Sequence, residues 1–355
     1  MKKVVLIPLI FALAGTSFVA YTFLDTFIIP KNTKKVDLNN SSFFNTTSDS
    51  SITPVVVPTI QYYEDLTEEQ IAKKFTATKE FKEKEHYSDP DICIDITTHR
   101  DEEDTTTYYV ADIRIKHLKY LKTALANDTF GENVNERTSD MCKRKKGILA
   151  INGDFYGAQE AGYVLRNGEI LRDTVSRSMG GEHPRKNPED LAIYRDGSFE
   201  IFNEKEVELD EVANKGAWQV FSFGPGLIKE GEIAVTEKQE VETAMGGGRN
   251  QRTAIGIISP LHYVFFVNDA RTTESEGFSL YEVATIMKNL HCYAAYNLDG
   301  GGSTTMYLDD GTGNANNLGH LVNKPTQALG NGGRATSATS VQQREVSDIV
   351  YIGQE

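Results

Sequence analysis

The chain has 355 residues, 39% of them hydrophobic and 10% aromatic, which is enough to bury a sizeable core and excludes a chain disordered throughout. Its 37 basic residues against 51 acidic give a formal charge of −14, and a surface that acidic argues against nucleic acid, whose recognition needs a basic footprint. The same charge repels anions at long range, so any phosphate recognition has to come from a few arginines inside a cleft.

Lys2 and Lys3 precede an uncharged run, residues 4–24, "VVLIPLIFALAGTSFVAYTFL". As a helix it would be about 31 Å long at roughly 1.5 Å per residue, the thickness of a bilayer core. No small-x-small cleavage site ends the run, so residues 1–30 are expected to form a membrane-spanning signal anchor, with a cleaved signal peptide as the alternative. Either reading puts the remainder outside the cytoplasm, and the first makes it a single-pass protein of the cell membrane. Residues 31–60 are rich in Ser, Thr and Asn without a helical period, which reads as a flexible stalk. A capping box from Thr67 to Gln70 opens "LTEEQIAKKFTATKEFKEKEH", expected as a charged spacer helix, so that residues 31–89 form stalk and spacer.

From about residue 90 the pattern turns to strands. "DICIDITTH" and "TYYVADIRI" alternate around the acidic turn "RDEEDT" and predict a hairpin. "GILAIN", "DLAIYRDGSFEIF", "AWQVFSFG", "RTAIGII", "HYVFFVN" and "AAYNL" are further strands, several so continuously apolar that both faces must be covered. One helix is clear, "SLYEVATIMKNLH", with Ser279 and Glu282 as capping box and an apolar stripe of Leu280, Val283, Ala284, Met287 and Leu290. The expectation is an α+β domain over residues 90–355: a mixed, largely antiparallel sheet core with flanking helices. Cys93, Cys142 and Cys292 lack zinc spacing and read as buried thiols.

Three apolar strands end alike. "GILAINGDFYG" delivers Asn152 and Asp154; "HYVFFVNDART" delivers Asn268, Asp269 and Arg271; "AAYNLDGGGSTT" delivers Asn297, Asp299, Ser303 and Thr304. Asn, Asp and Gly commonly end strands because they make turns, but strand ends are also where loops gather into a cleft. Carboxylates meeting there can act as nucleophile or base, hold a hard cation, or bind sugar hydroxyls. Glycines 300–302 can expose backbone N–H groups to an anion and let a ligand approach the main chain. The stretch is neither a phosphate loop of GxxxxGK[ST] form nor a GxSxG nucleophile elbow.

The blocks "INGDFYG", "GYVLRNGEILRD", "FSFGPGLI", "RTAIGI", "SEGFSLYEVATIMKNLHCYAAYNLDGGGSTTMY", "VNKP" and "REVSDIVYI" occur in that order. In them the chain resembles the phosphodiester glycosidase family, the N-acetylglucosamine-1-phosphodiester alpha-N-acetylglucosaminidase-like domains, across roughly residues 90–355. The resemblance implies hydrolysis of the glycosyl–oxygen bond of a sugar-1-phosphodiester in envelope or extracellular glycans such as an exopolysaccharide. It implies site positions at Asn152, Asp154, Arg252, Thr253, Asp269, Arg271, Glu276, Asp299, Gly300, Gly301, Ser303 and Thr304. One block departs from the family pattern: a stretch expected to read roughly "VDGR" reads "VNDAR", with Ala270 in place of glycine, which is harmless unless that backbone needs a positive φ.

The leaving phosphomonoester is weakly basic, so stabilising its charge matters more than protonating it. Arg252 and Arg271 are the phosphate candidates, Asp154 and Asp299 the chemical pair, with Asp269 and Glu276 behind them. Glu276 reads equally well as a helix-start charge. A divalent cation on Asp154, Asp269 and Asp299 would be calcium or magnesium, since the donors are all oxygen. The residues leave open two rivals: a non-catalytic protein binding anionic glycopolymers, and a metal-dependent phosphodiesterase cleaving P–O.

Overall fold

The computed structural model describes residues 24, 28–39, 41–44, 60–176, 188–237, 248–312, 319–326 and 342–354. The uncharged run 4–24 and the whole of the expected anchor up to residue 27 lie outside them apart from Leu24. Among the described residues no helix is long and apolar enough to cross a membrane.

Sheet dominates. A nine-stranded sheet runs in the order Glu232–Ile233, Gly226–Lys229, Ala294–Leu298, Thr253–Ser259, His262–Asn268, Thr106–Ile115, Ile92–Asp101, His86–Ser88, Glu80–Lys82. A five-stranded sheet follows the order His320–Leu321, Met306–Leu308, Leu149–Asn152, Asp348–Ile352, Leu121–Leu125. A second five-stranded sheet orders Glu169–Arg172, Val164–Arg166, Ala217–Phe221, Glu189–Tyr194, Phe199–Asn203. Every pairing among the described strands is antiparallel, so the expected mixed sheet is corrected. The continuous apolar runs do not signal parallel pairing here. They arise because the nine-stranded sheet is covered on both faces.

On one face Ile255, Ile257, Phe265, Tyr296 and Leu298 join a core shared with the other sheets through Ile151, Leu191, Phe221 and Val350. On the other, Ala254, Phe266 and Ala295 pack beneath the helix Leu280–Asn289. That helix begins as its sequence dictates: Ser279 accepts from the Glu282 amide and Glu282 reaches back to the Ser279 amide. Leu280, Val283, Ala284 and Met287 are buried, with Leu290 partly so. The expected hairpin is also present, with Asp101 opposite Thr106. All three cysteines are free and buried.

The stalk and spacer fare differently. Lys31–Lys35 pairs with Thr129–Glu132, Val36 and Leu38 are buried, and Phe43 and Phe44 pack on Trp218. Of the charged spacer only Glu68–Ala72 is helical, capping box intact. The remainder turns and forms the strands Glu80–Lys82 and His86–Ser88 on the edge of the large sheet. The expected long helix has no apolar stripe to bury, and the sheet edge offers its backbone groups partners.

Candidate active site

Strand ends of two sheets meet around residues 299–305. This stretch leaves the nine-stranded sheet at Leu298 and enters the five-stranded sheet at Met306, so it is the seam between them. Asn152, at the end of its strand, ties the seam together. Its amide donates to the Asp299 carbonyl at 2.7 Å, and its carbonyl accepts from the Thr253 hydroxyl at 2.8 Å and the Thr305 amide at 3.2 Å. The Thr253 and Thr304 hydroxyls are hydrogen-bonded to each other at 3.2 Å. These groups are fully buried and satisfy one another. Asn152, Thr253 and Thr304 therefore set the position of Asp299, and they do so from three separate strand ends.

Asp299 is 8% exposed, and its Oδ2 has no hydrogen-bond partner among the described residues. Burial, the leading cause, pushes its carboxyl up to about 6; Ser303, Arg344 and the Gly300 amide pull the other way, and the nearby Asp154 charge adds to the rise. Two guanidinium groups flank the glycines. A Cβ on Gly301, whose φ is +61°, would stand 3.1 Å from Arg271 Nη2, and one on Gly302 would stand 3.0 Å from Arg344 Nη2. Arg344 also donates to the Ser303 hydroxyl at 3.3 Å. Burial and then the Arg344 charge lower the pKa of Arg271, while Asp299 opposes them. Like charges brought together beside an unpartnered carboxylate oxygen make a site that an anion would relieve.

The glycines thus let arginine side chains lie against the main chain. They do not present the expected row of amides, because the Gly301 N–H donates to the Gln251 carbonyl at 2.9 Å and the Gly300 amide stabilises Asp299. Arg344 was missed in the sequence: it sits in the "REVSDIVYI" block, 45 positions beyond Asp299, and only the fold brings it to the glycines.

The other candidates divide. Asp154 lies next to Asp299 through the Asp299 amide, which donates to the Gly153 carbonyl at 3.2 Å, but its carboxylate is occupied. Arg166 Nη2 stands 2.8 Å from Oδ1, and the Ser222 amide donates to Oδ2 at 2.8 Å. Arg166 also binds Asp348 at 2.9 Å, and all three side chains are completely buried or within 1% of it. Two available carboxylates, the expected chemical pair, are therefore not what the fold presents. Arg252 is turned away, donating to the backbone carbonyls of Phe278 at 3.1 Å and Gly248 at 2.8 Å. Glu276 is exposed, and its charge acts on Arg249. Asp269 accepts from Tyr109 and the Lys324 amide. Ala270 is not among the positive-φ residues; the left-handed position is Arg271, at φ 59°, so the departure from the family pattern is accommodated.

Among the described residues no group of three His, Cys, Asp or Glu could hold a metal ion. Asp154 and Asp269, which the sequence suggested as ligands with Asp299, direct their oxygens at Arg166, Ser222, Tyr109 and Lys324, so the three do not fit a shared calcium or magnesium site.

Residues 145–352, more than half of the chain, match the family model described as phosphodiester glycosidase. The chain belongs to the phosphodiester glycosidase family. It is 32% identical over 165 residues to human N-acetylglucosamine-1-phosphodiester alpha-N-acetylglucosaminidase, covering 43% of this chain and 32% of that protein. It is 28% identical over 177 residues to the SPbeta prophage-derived protein YomE of Bacillus subtilis, covering 49% of this chain and 26% of that one. The matched part thus spans a quarter to a third of these relatives. The catalytic domain of the zebrafish N-acetylglucosamine-1-phosphodiester alpha-N-acetylglucosaminidase, auto-inhibited by its pro-peptide, shares the fold, with a TM-score of 0.55 and 19% identity over 84% of this chain and 96% of that one. As a phosphodiester glycosidase family member, this chain keeps the seam of "LDGGGSTT" inside the matched region.

Proposed function

We propose that the chain is a hydrolase that cleaves the glycosyl–oxygen bond of a sugar-1-phosphodiester. Water adds its hydroxyl to the anomeric carbon and its proton to the departing phosphate oxygen, giving free sugar and a phosphomonoester. The observation that carries this is Asp299, buried with one oxygen that has no partner among the described residues, beside the guanidinium groups of Arg271 and Arg344. Arg271 and Arg344 take the phosphate, whose charge grows as the bond breaks, and Asp299 acts at the anomeric carbon against the developing oxocarbenium character. Asp154, held by Arg166, lies close enough to add to the rise in the pKa of Asp299. Family membership supports the reaction class.

Hydrolysis of a nucleotide sugar in ¹⁸O-water tests the reading. Free reducing sugar carrying the label is expected, with activity lost in Asp299→Asn. Label in the phosphate would refute a glycosidase and favour P–O cleavage; saturable binding without product would favour a glycan-binding protein. The proposal extends to an extracellular, membrane-attached location through residues 4–24, which cell fractionation before and after surface proteolysis would check.

A further inference from the structure

We infer that Asp269 is a positioning residue that fixes Arg271 at the anion site, and not a group that acts on substrate; this rests on the function proposed above. Asp269 is 2% exposed. Tyr109 donates its hydroxyl to Oδ2 at 2.9 Å, and the Lys324 amide donates to Oδ1 at 2.8 Å. One carboxylate thereby joins three segments distant in sequence: the strand Thr106–Ile115, the turn after the strand His262–Asn268, and residues 323–326.

The backbone around it is held just as firmly. The Asp269 amide donates to the Thr107 carbonyl at 2.9 Å, and the Asp269 carbonyl accepts from Ser275 Oγ at 2.9 Å. The Ala270 carbonyl accepts from Thr326 Oγ1 at 2.8 Å, and the Thr326 carbonyl accepts from Gln251 Nε2 at 3.1 Å. Gly277 lets the Ala270 methyl group in, since a Cβ there would lie 2.6 Å from it. Arg271 follows at once in the left-handed region, which a residue with a side chain keeps only where its neighbours enforce it. Its guanidinium must lie against Gly301 to share the anion with Arg344. A shift of about an ångström in the turn would withdraw it, which is the scale on which such sites fail.

The test uses the full chain, UDP-N-acetylglucosamine as diester probe and inorganic phosphate as competing anion. Asp269→Asn is expected to raise KM about tenfold and weaken phosphate binding by the same factor, with kcat within about threefold of wild type. Tyr109→Phe, which removes one hydroxyl and keeps the packing, is expected to shift both about threefold in the same direction. A fall in kcat of a hundredfold at unchanged KM in Asp269→Asn would overturn the inference, because Asp269 would then act on the reacting atoms. If the wild-type chain turns over no diester, the proposed reaction fails by itself and phosphate titration decides the inference. Weaker phosphate binding in Asp269→Asn, Tyr109→Phe and Arg271→Ala alike supports it; wild-type affinity in Asp269→Asn, or no phosphate binding by the wild-type chain, overturns it.

Discussion

Asp154 and Asp299 are neighbours of the same type, each almost sealed from water, and the fold treats them in opposite ways. Asp154 has an arginine and a backbone amide on its two oxygens. Asp299 keeps one oxygen without a partner among the described residues and has its carboxyl pushed up by burial. A buried charge is tolerable when paired; a buried carboxylate left short of partners is retained where a ligand completes it. Burial alone therefore does not mark a reactive acid. The donors already committed to each carboxylate are what separate these two.

The largest effect expected from breaking this contrast falls on stability. Arg166→Met takes away the guanidinium that Asp154 and Asp348 share, and should lower the unfolding free energy by about 3–5 kcal/mol in urea titration at pH 7. Unchanged stability would mean that the buried trio does not rely on the guanidinium.

Next, Asp299→Asn should lower turnover by at least about a hundredfold, on the scale of losing one electrostatic contact to the transition state. Its stability should move the other way. The folded carboxyl titrates at about 6, whereas an unfolded one titrates near about 3.9. Folding therefore takes up a proton between those values, so this group's contribution is fully present below about pH 4 and is lost as pH rises through about 6. The variant escapes that loss: it should melt above wild type at pH 8, with the gap closing towards pH 4. A variant that melts lower at pH 8 would show that Asp299 is satisfied within the protein.

Arg344→Ala should raise KM for the diester about tenfold, equivalent to about 1.4 kcal/mol, with Arg344→Lys restoring only part because an ammonium lacks the planar fork. An unchanged KM would remove Arg344 from the anion site. The smallest effect belongs to Ala270→Gly, which should leave KM alone and cost about 1 kcal/mol or less by thermal melting, since the position needs no positive φ. A lowered KM would restore the concern that the methyl group hinders substrate.

Much of the fold was legible where its causes are local. The Ser279–Glu282 box starts the helix Leu280–Asn289, and the acidic turn "RDEEDT" closes the hairpin between Ile92–Asp101 and Thr106–Ile115. The spacer was misread because Glu80–Lys82 is a strand only through its pairing with His86–Ser88. At the site, Asn152, Asp299 and Thr304 were legible as types of residue at strand ends, and Thr253 only through the family resemblance. Arg252 had the right charge and the wrong direction, since it serves the carbonyls of Gly248 and Phe278.

By itself, then, the sequence determined the apolar strands from about residue 90 onward, the capped helix and the polar ends of three apolar runs, because spacing and capping act over a few residues. Only the tertiary structure decided which acids are occupied: Arg166 meets Asp348 across 182 residues and Tyr109 meets Asp269 across 160. Such pairings depend on how whole sheets stack, and no local pattern encodes the partner that a buried charge will find.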